Sequence, residues 1–481
     1  MILCIGNIST LHKKTMKRGI LFLLCITSLS IYAQQVPVAK AKSVANEFIS
    51  QNGLSCSVQT ITPRLNSAGD TLYYIVDATP HHYFIVSANE RVSPVIAWSA
   101  TSQFDVTKPF AAILDRDISD RIAEASLLNT NQKNNIRLQW EFLSDGIVQS
   151  PKMQYWPDSG TTSTGGWVES HWTQSSPFNQ MCPMDPVSGT RSYAGCPAIA
   201  MGQIINYLKT TQNTRFDDGD DYYHNYAGRT YNIDDDADSL GFPSFPVLND
   251  WLDSADILFQ SGIDATGSVA ASIVFACGTA CTQVYTSQGS GTFSVSQAYA
   301  AYQRFGFTCC ELLESADSIM YATLISNMKN GWPAHLAVVD AAWSVGHNVV
   351  VDGYNTDGYF HINFGWGGSN DGWWLVPDPS FPYSMGVLEG IVLNIIPVGT
   401  GIADNEQNSS IGFYPNPANE IIYLNSATGA DIQYSILSST GQLIQSGFTS
   451  GSISVSDLAS GIYFLQLKTE EGIQVGKIVK E

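Results

Sequence analysis

Hydrophobic positions change period along this chain, and the changes divide it. After Cys196, apolar residues recur at Met201, Ile204, Ile205 and Leu208, the i, i+3, i+4, i+7 spacing of a helix with one buried face. Gly195 permits a tight turn, and Pro197 suits the first helical position, where no N–H is needed. Further on, His347–Asp352 reads as a valine-rich strand and Tyr359–Phe364 as a second, with the turn residues Asn355-Thr356-Asp357-Gly358 between them. That pattern predicts a β-hairpin. Beyond residue 410 the period shortens to two. Ile421–Leu424, Ile432–Leu437, Ile462–Leu467 and Val475–Val479 alternate between Gly/Ser/Asn turns, which predicts a small β-sandwich.

The helix start carries the first candidate chemistry. Cys196 falls at the N-terminus, where the helix dipole favours negative charge and lowers a thiol pKa. A thiolate is the attacking form of cysteine. Two readings stay open on this segment alone: a nucleophile, or a small buried cysteine that caps a core helix.

A thiolate nucleophile needs a proton shuttle, and His347 lies 151 positions after Cys196 at the start of the predicted hairpin. Folding the hairpin brings the Asn363 end near the His347 end, where an amide can hold the imidazole in one tautomer. The order Cys, His, Asn is that of papain-like proteases. The remaining histidines point elsewhere. His361 reads as a core residue that supports its surroundings, His335 reaches toward a cleft without a companion motif, and His171 and His224 lie in polar, loop-like sequence. Cys277 and Cys281 have no matching Cys/His pair at ligand spacing, so no zinc site or cofactor is expected.

These residues together resemble the streptopain family of papain-like cysteine peptidases. The resemblance rests on Trp172-Thr173-Gln174, Pro177-Phe178-Asn179, Gly195-Cys196 with Gln203, Gly346–Gly353, and Asn363–Gly368. Upstream, Phe84–Arg91 and Pro94–Ser99 are similar to the family's inhibitory propeptide, so the likeness spans roughly residues 40 to 395. It implies Cys196 as nucleophile, His347 as general base and acid, and Gln174 as an oxyanion-hole donor beside the Cys196 N–H. Asn363 and Trp366 match the His-orienting and cleft-wall positions. Three departures stand out: Pro197 after the nucleophile, Gly202 inside the helix, and Phe364 where the family commonly has Trp.

Composition sets the surroundings. A net charge of −20 and a pI near 4.6 argue against nucleic-acid and anionic-membrane partners. Acidic runs at Asp217–Asp221 and Asp234–Asp238 lack EF-hand spacing and read as solvated loops. Lys17-Arg18, the apolar run from Gly19 to Ile31 and Ala33 have the form of an export signal, with Met16 a candidate true start. No later stretch has transmembrane length. Of the nine cysteines, Cys4 and Cys25 fall in the leader, and the seven that remain leave at least one thiol unpaired. Tyr414–Ala418, Ser439–Gln442, Leu458–Tyr463 and the Lys477–Glu481 ending resemble the C-terminal sorting domain of the type IX (Por) secretion system.

The chain therefore reads as a signal peptide over 1–33, an α+β inhibitory propeptide over 34–150, and a papain-like α+β two-lobe peptidase domain over 151–398. A linker over 399–410 and an all-β sorting domain over 411–481 complete it. The implied protein is a secreted or surface-attached cysteine endopeptidase made as a zymogen and exported through the periplasm. Its partners would be protein substrates, its own propeptide and the secretion machinery. Two other readings compete: a catalytically silent adhesin or haem- or haemagglutinin-type binding protein, and an amidase or transglutaminase-like acyltransferase on the same fold.

Overall fold

The computed structural model describes residues 35–145, 153–376, 386–397, 413–424, 432–438, 443–469 and 472–480. The expected signal peptide and linker lie outside these residues. The chain divides into two units, Met1–Thr400 and Gly401–Glu481.

In the first unit, helix α1 (Val38–Gln51) buries Ala41, Val44, Ala45 and Phe48 against a four-stranded meander. The meander runs β1 (Ser57–Leu65), β2 (Thr71–Thr79), β3 (His82–Ser87) and β4 (Val95–Ser99). Helices α2 (Phe110–Glu124) and α3 (Thr130–Asp145) follow. The central helix α4 (Cys196–Leu208) comes next, after the short strand β5 (Tyr155–Trp156). A small hairpin, β6 (Tyr222–Tyr226) and β7 (Arg229–Ile233), leads to helices α5 (Ala237–Leu240), α6 (Phe245–Gln260), α7 (Gly267–Ala280) and α8 (Val295–Arg304). The chain then runs through β8 (Glu311–Leu313), α9 (Ser318–Lys329), β9 (Ala334–Val339) and β10 (Gly346–Asn355). Strands β11 (Tyr359–Asn363), β12 (Gly372–Leu375) and β13 (Val387–Leu393) complete the unit.

One antiparallel sheet joins the two halves of this unit. Its order is β1-β2-β3-β4-β12-β11-β10-β9-β13-β8, with β5 paired to β10. The join is β4 against β12, where Trp373 faces Trp98 and Trp374 faces Ala97. On one face lie helix α4 and the helical lobe, with Val350 and Ala337 reaching into that core. On the other lie α2 and α9, packed against Leu336, Val338, Val349 and Val351.

Two local expectations change and a third is refined. Helix α4 is buried from Pro197 to Asn206 on every side, because the sheet covers one flank and α7 the other; a 3.6-residue stripe understates a helix at the centre of a lobe. The first acidic run is largely exposed, as expected, but its turn is fastened. Asp217 caps a 3₁₀ turn over Asp218–Asp220, and Asp220 takes two bonds from Arg304 at 2.7 Å. In the second run, Asp234 accepts from Phe245 N at 2.6 Å and Asp236 from Asn232 N at 2.7 Å. His224 is buried, stacked on Tyr231 with ring centres 4.3 Å apart.

The second unit follows the period-two pattern. Strands β14 (Phe413–Tyr414), β15 (Ile421–Leu424) and β18 (Ser452–Ser454) form one sheet. Strands β16 (Ile432–Ser438), β17 (Leu443–Thr449), β19 (Gly461–Thr469) and β20 (Gly472–Lys480) form the other. Ile422, Ile436, Ile453, Leu465 and Ile478 fill the space between them.

Gly202 decides between two effects. Alanine would favour a helix interior by about 1 kcal/mol, but its Cβ would stand 2.9 Å from the Trp172 ring and 3.3 Å from Val274. Overpacking of that kind costs about 1–3 kcal/mol. Gly202→Ala is therefore expected to lower the thermal midpoint of the full chain, as scanning calorimetry would read, and a rise would show that the ring gives way freely.

Candidate active site

The Gly195–Cys196 turn is built by exclusion. Gly195 has φ of 85°, and a Cβ there would meet Gln283 Oε1 at 2.6 Å, so only glycine fits. Gln283 is fully buried and its Nε2 donates to the Ala194 carbonyl at 2.7 Å. The Ala194 N–H donates to the Gln174 carbonyl at 2.8 Å. These bonds bring Gln174 beside the start of α4, two positions from the thiol. Nothing in its sequence context singled out Gln283, an amide whose role becomes visible only when the chain is folded.

The loop after β11 closes the same region. Thr173 bridges Trp366, and the Gly367 N–H donates to the Trp172 carbonyl at 3.0 Å. Asp371 accepts from Phe364 N at 2.8 Å and faces His171 Nδ1 at 3.5 Å. His171, exposed as expected from its polar context, is drawn upward in pKa by that hydrogen-bonded carboxylate, which outweighs its partial burial.

Asn363 does different work from that expected of it. Its Oδ1 accepts from Gln203 Nε2 at 3.1 Å and Gly365 N at 3.0 Å, and its Nδ2 donates to the Ser170 carbonyl at 2.8 Å. It pairs with Val350 across the hairpin, three residues beyond His347. Its amide thus ties the Gly365 turn to helix α4, whereas His347 Nε2 bonds the Phe364 carbonyl at 2.8 Å. Trp366, expected at a cleft wall, stacks on the His347 ring, centres 4.2 Å apart.

Strand alternation sets the relation between His347 and Cys196. From Gly346 to Val351, β10 pairs with β9 without a break, so successive side chains point to opposite faces. His347 shares its face with Val349 and Val351, on the α2 side. Asn348 shares the α4 face with Val350, and its Nδ2 reaches the Cys196 sulfur at 3.7 Å. His335, fully buried, meets Asn348 Oδ1 through Nε2 at 2.8 Å and Tyr302 through Nδ1 at 3.2 Å. The missing companion of His335 is Asn348, two residues out of register across the sheet.

Electrostatics agree with this arrangement. Burial pushes the Cys196 thiol up, against the lowering effect of Asn348 and its own backbone, and Glu389 adds to the rise. A helix terminus contributes about 0.3–1 kcal/mol, too little to offset desolvation, so the thiol is not the lowered one expected from its position. Burial also lowers His347 to about 4. Both groups are therefore neutral near pH 7. His361 differs: burial opposes its charge, but Asp352 at 2.6 Å holds it up. Asp352 also accepts from Val168 N at 2.8 Å, which makes the pair an internal fastening. Among the described residues all seven cysteines are free thiols.

Comparison with known proteins adds three family matches. Residues 172–374 match the Peptidase C10 family, residues 33–115 the Spi protease inhibitor, and residues 412–481 the secretion system C-terminal sorting domain. The chain is 24% identical over 395 residues to the thiol protease/hemagglutinin PrtT of Porphyromonas gingivalis, covering 73% of this chain and 40% of that protein. A structure of Prevotella intermedia prointerpain A aligns at 21% identity and a TM-score of 0.48, over 70% of this chain and 98% of that one. Active interpain A aligns at 21% identity and a TM-score of 0.36, over 48% and 94%.

The pKa directions set a test. In the full chain, Cys196 alkylation by iodoacetamide should climb steadily from pH 6 to pH 9, about tenfold per unit, with no shoulder at imidazole pH. A plateau below about pH 8.5, where a free thiol half-ionises, would contradict a neutral pair.

Proposed function

We propose that this chain is the zymogen of a secreted cysteine endopeptidase, because residues 172–374 match the Peptidase C10 family and residues 33–115 the Spi protease inhibitor. What supports the reading is Cys196 at the start of a buried helix, with the Gln174 carbonyl bonded to Ala194 N and Asn348, the strand neighbour of His347, on its sulfur. The proposed reaction is acyl transfer. His347 takes the proton of the Cys196 thiol, and the resulting thiolate attacks a peptide carbonyl carbon, forming a C–S bond, while Gln174 and the Cys196 N–H hold the oxyanion. His347 protonates the leaving amine as the C–N bond breaks. Water then gives a proton to His347 and attacks the thioester, which releases the acid and the thiol. Asn363 acts here as a positioning residue that fixes the Gly365 turn against Gln203. Trp366 covers the imidazole.

Latency follows from the same sheet. The inhibitor segment is bound as strand β4 on β12, and Lys108 lies 5.8 Å over the Trp366 ring that covers His347. Cleavage of the chain after α3, in the stretch reaching Ser163, would free the domain; residues 150–152 of that stretch lie outside the described residues. The sorting domain would take the zymogen through type IX export to the cell surface or beyond. Substrates, by this reading, are unfolded or extended protein segments.

The test uses processed protein, denatured casein and an epoxide-type thiol-protease inhibitor. Casein cleavage is expected, lost in Cys196→Ala, with the inhibitor attached to Cys196. Gln174→Ala should lower kcat by about 10²–10³ with a smaller change in KM, the usual effect of one oxyanion donor. Labelling without cleavage would favour the acyltransferase reading. Neither labelling nor cleavage would favour a binding protein.

A further inference from the structure

Two neighbours on β10 compete for one sulfur. In a strand of period two, His347 and Asn348 cannot both face helix α4 while the β9 register holds. The structure has Asn348 on the thiol and His347 under Trp366. A second chain of hydrogen bonds leads to the Asn348 amide. The Tyr302 hydroxyl donates to His335 Nδ1, His335 Nε2–H donates to Asn348 Oδ1, and Asn348 Nδ2 donates to the Cys196 sulfur. Each member is buried or partly buried, and Tyr302 and His335 are fully so.

We propose that Tyr302, His335 and Asn348 form a latch, in which His335 orients Asn348 onto Cys196 and thereby keeps β10 in the register that withholds His347. This inference rests on the Cys196–His347 reading above. His335 is a positioning residue that acts through Asn348, and Asn348 meets the thiol itself. Buried polar chains of this kind stabilise one arrangement only while every member is satisfied. Loss of one member therefore favours the alternative arrangement.

The mechanical freedom for the exchange lies at the start of the strand. Ala341 to Ser344 are exposed, with Trp343 at φ of 55° and 63% exposed. Val350 and Val351, by contrast, are fully buried in the two cores. Only the first three residues of β10 need turn, those that pair with Val339, Val338 and Ala337.

The experiment measures Cys196 alkylation in the full, uncleaved chain at pH 7, site by site, with buried Cys182 and Cys277 as internal controls. Asn348→Ala and His335→Leu are expected to raise labelling of Cys196 at least fivefold while Cys182 and Cys277 stay unchanged. His335→Gln, which keeps a donor for Asn348, should stay within twofold of the parent. The enhancement should vanish in Asn348→Ala/His347→Ala, since it needs the imidazole. Labelling that stays flat in both single variants overturns the latch, as does an enhancement that survives loss of His347 or extends to all three thiols. If processed parent protein does not cleave casein, the enzymatic reading fails on that result alone, while alkylation still reports on the latch.

Discussion

The pairing of β4 with β12 is the contact on which the rest of this unit depends. Through it the inhibitor meander and the peptidase sheet become one surface, and the outer edge of β12 is paired rather than open. Sheet edges left open are templates for unwanted pairing. Aromatic residues line the join on both faces. Trp98 stacks on Trp373 at 6.1 Å, and Phe110 meets Phe364 at 4.5 Å and Trp374 at 5.1 Å. Such side chains bury about 150–250 Å² each, at roughly 25 cal/mol per Å², so a handful supplies several kcal/mol. Hydrogen bonds cross the join as well, from Tyr83 to the Asn370 carbonyl, Tyr359 to the Val95 carbonyl, and Arg121 to the Leu375 carbonyl.

That seam reaches the chemistry through two rings. Phe110 belongs to helix α2 of the inhibitor segment, Phe364 follows β11, and Phe364 stacks with Trp366 at 5.5 Å. His347 lies beneath the same pair. The inhibitor segment thus braces the residues that hold the imidazole, and among the described residues it places no hydrogen-bonding group of its own on the Cys196 sulfur. In this arrangement the thiol and the imidazole are both desolvated and both neutral.

The sequence made the large divisions legible because period and turn chemistry agree at every level. Gly195-Cys196-Pro197 marked a helix start, Asn355–Gly358 marked a hairpin, and alternating Ile/Leu positions after Ile421 marked a sandwich. What stayed hidden depends on contacts between distant segments. The lowered thiol pKa expected from a helix dipole gave way to burial by α7 and the sheet, which no local pattern reports. Asn363 was placed near His347 correctly by the hairpin, yet its amide is claimed by Gln203 and Ser170 from other elements. The roles of Gln283, Asn348 and His335 arise only where three chain segments meet. Gly202, a helix fault on propensity, is the space that Trp172 fills.

Alternation also limits how far activation must reach. A slip of the whole of β10 would drive Val349 and Val351 out of one core and Val350 out of the other, at a cost of about 1.5–3 kcal/mol for each side chain. Rotation of Gly346 to Asn348 alone gives up only the ladder bonds of three residues. At a net of about 0.5–1.5 kcal/mol per hydrogen bond, that cost is of the same order as the aromatic packing surrendered when the inhibitor segment departs. The exchange proposed above would therefore need only a local repacking, with the buried valines as its fixed point. Gly346 suits that position: it opens the strand, it has no side chain to unpack, and the exposed loop before it absorbs the change in direction.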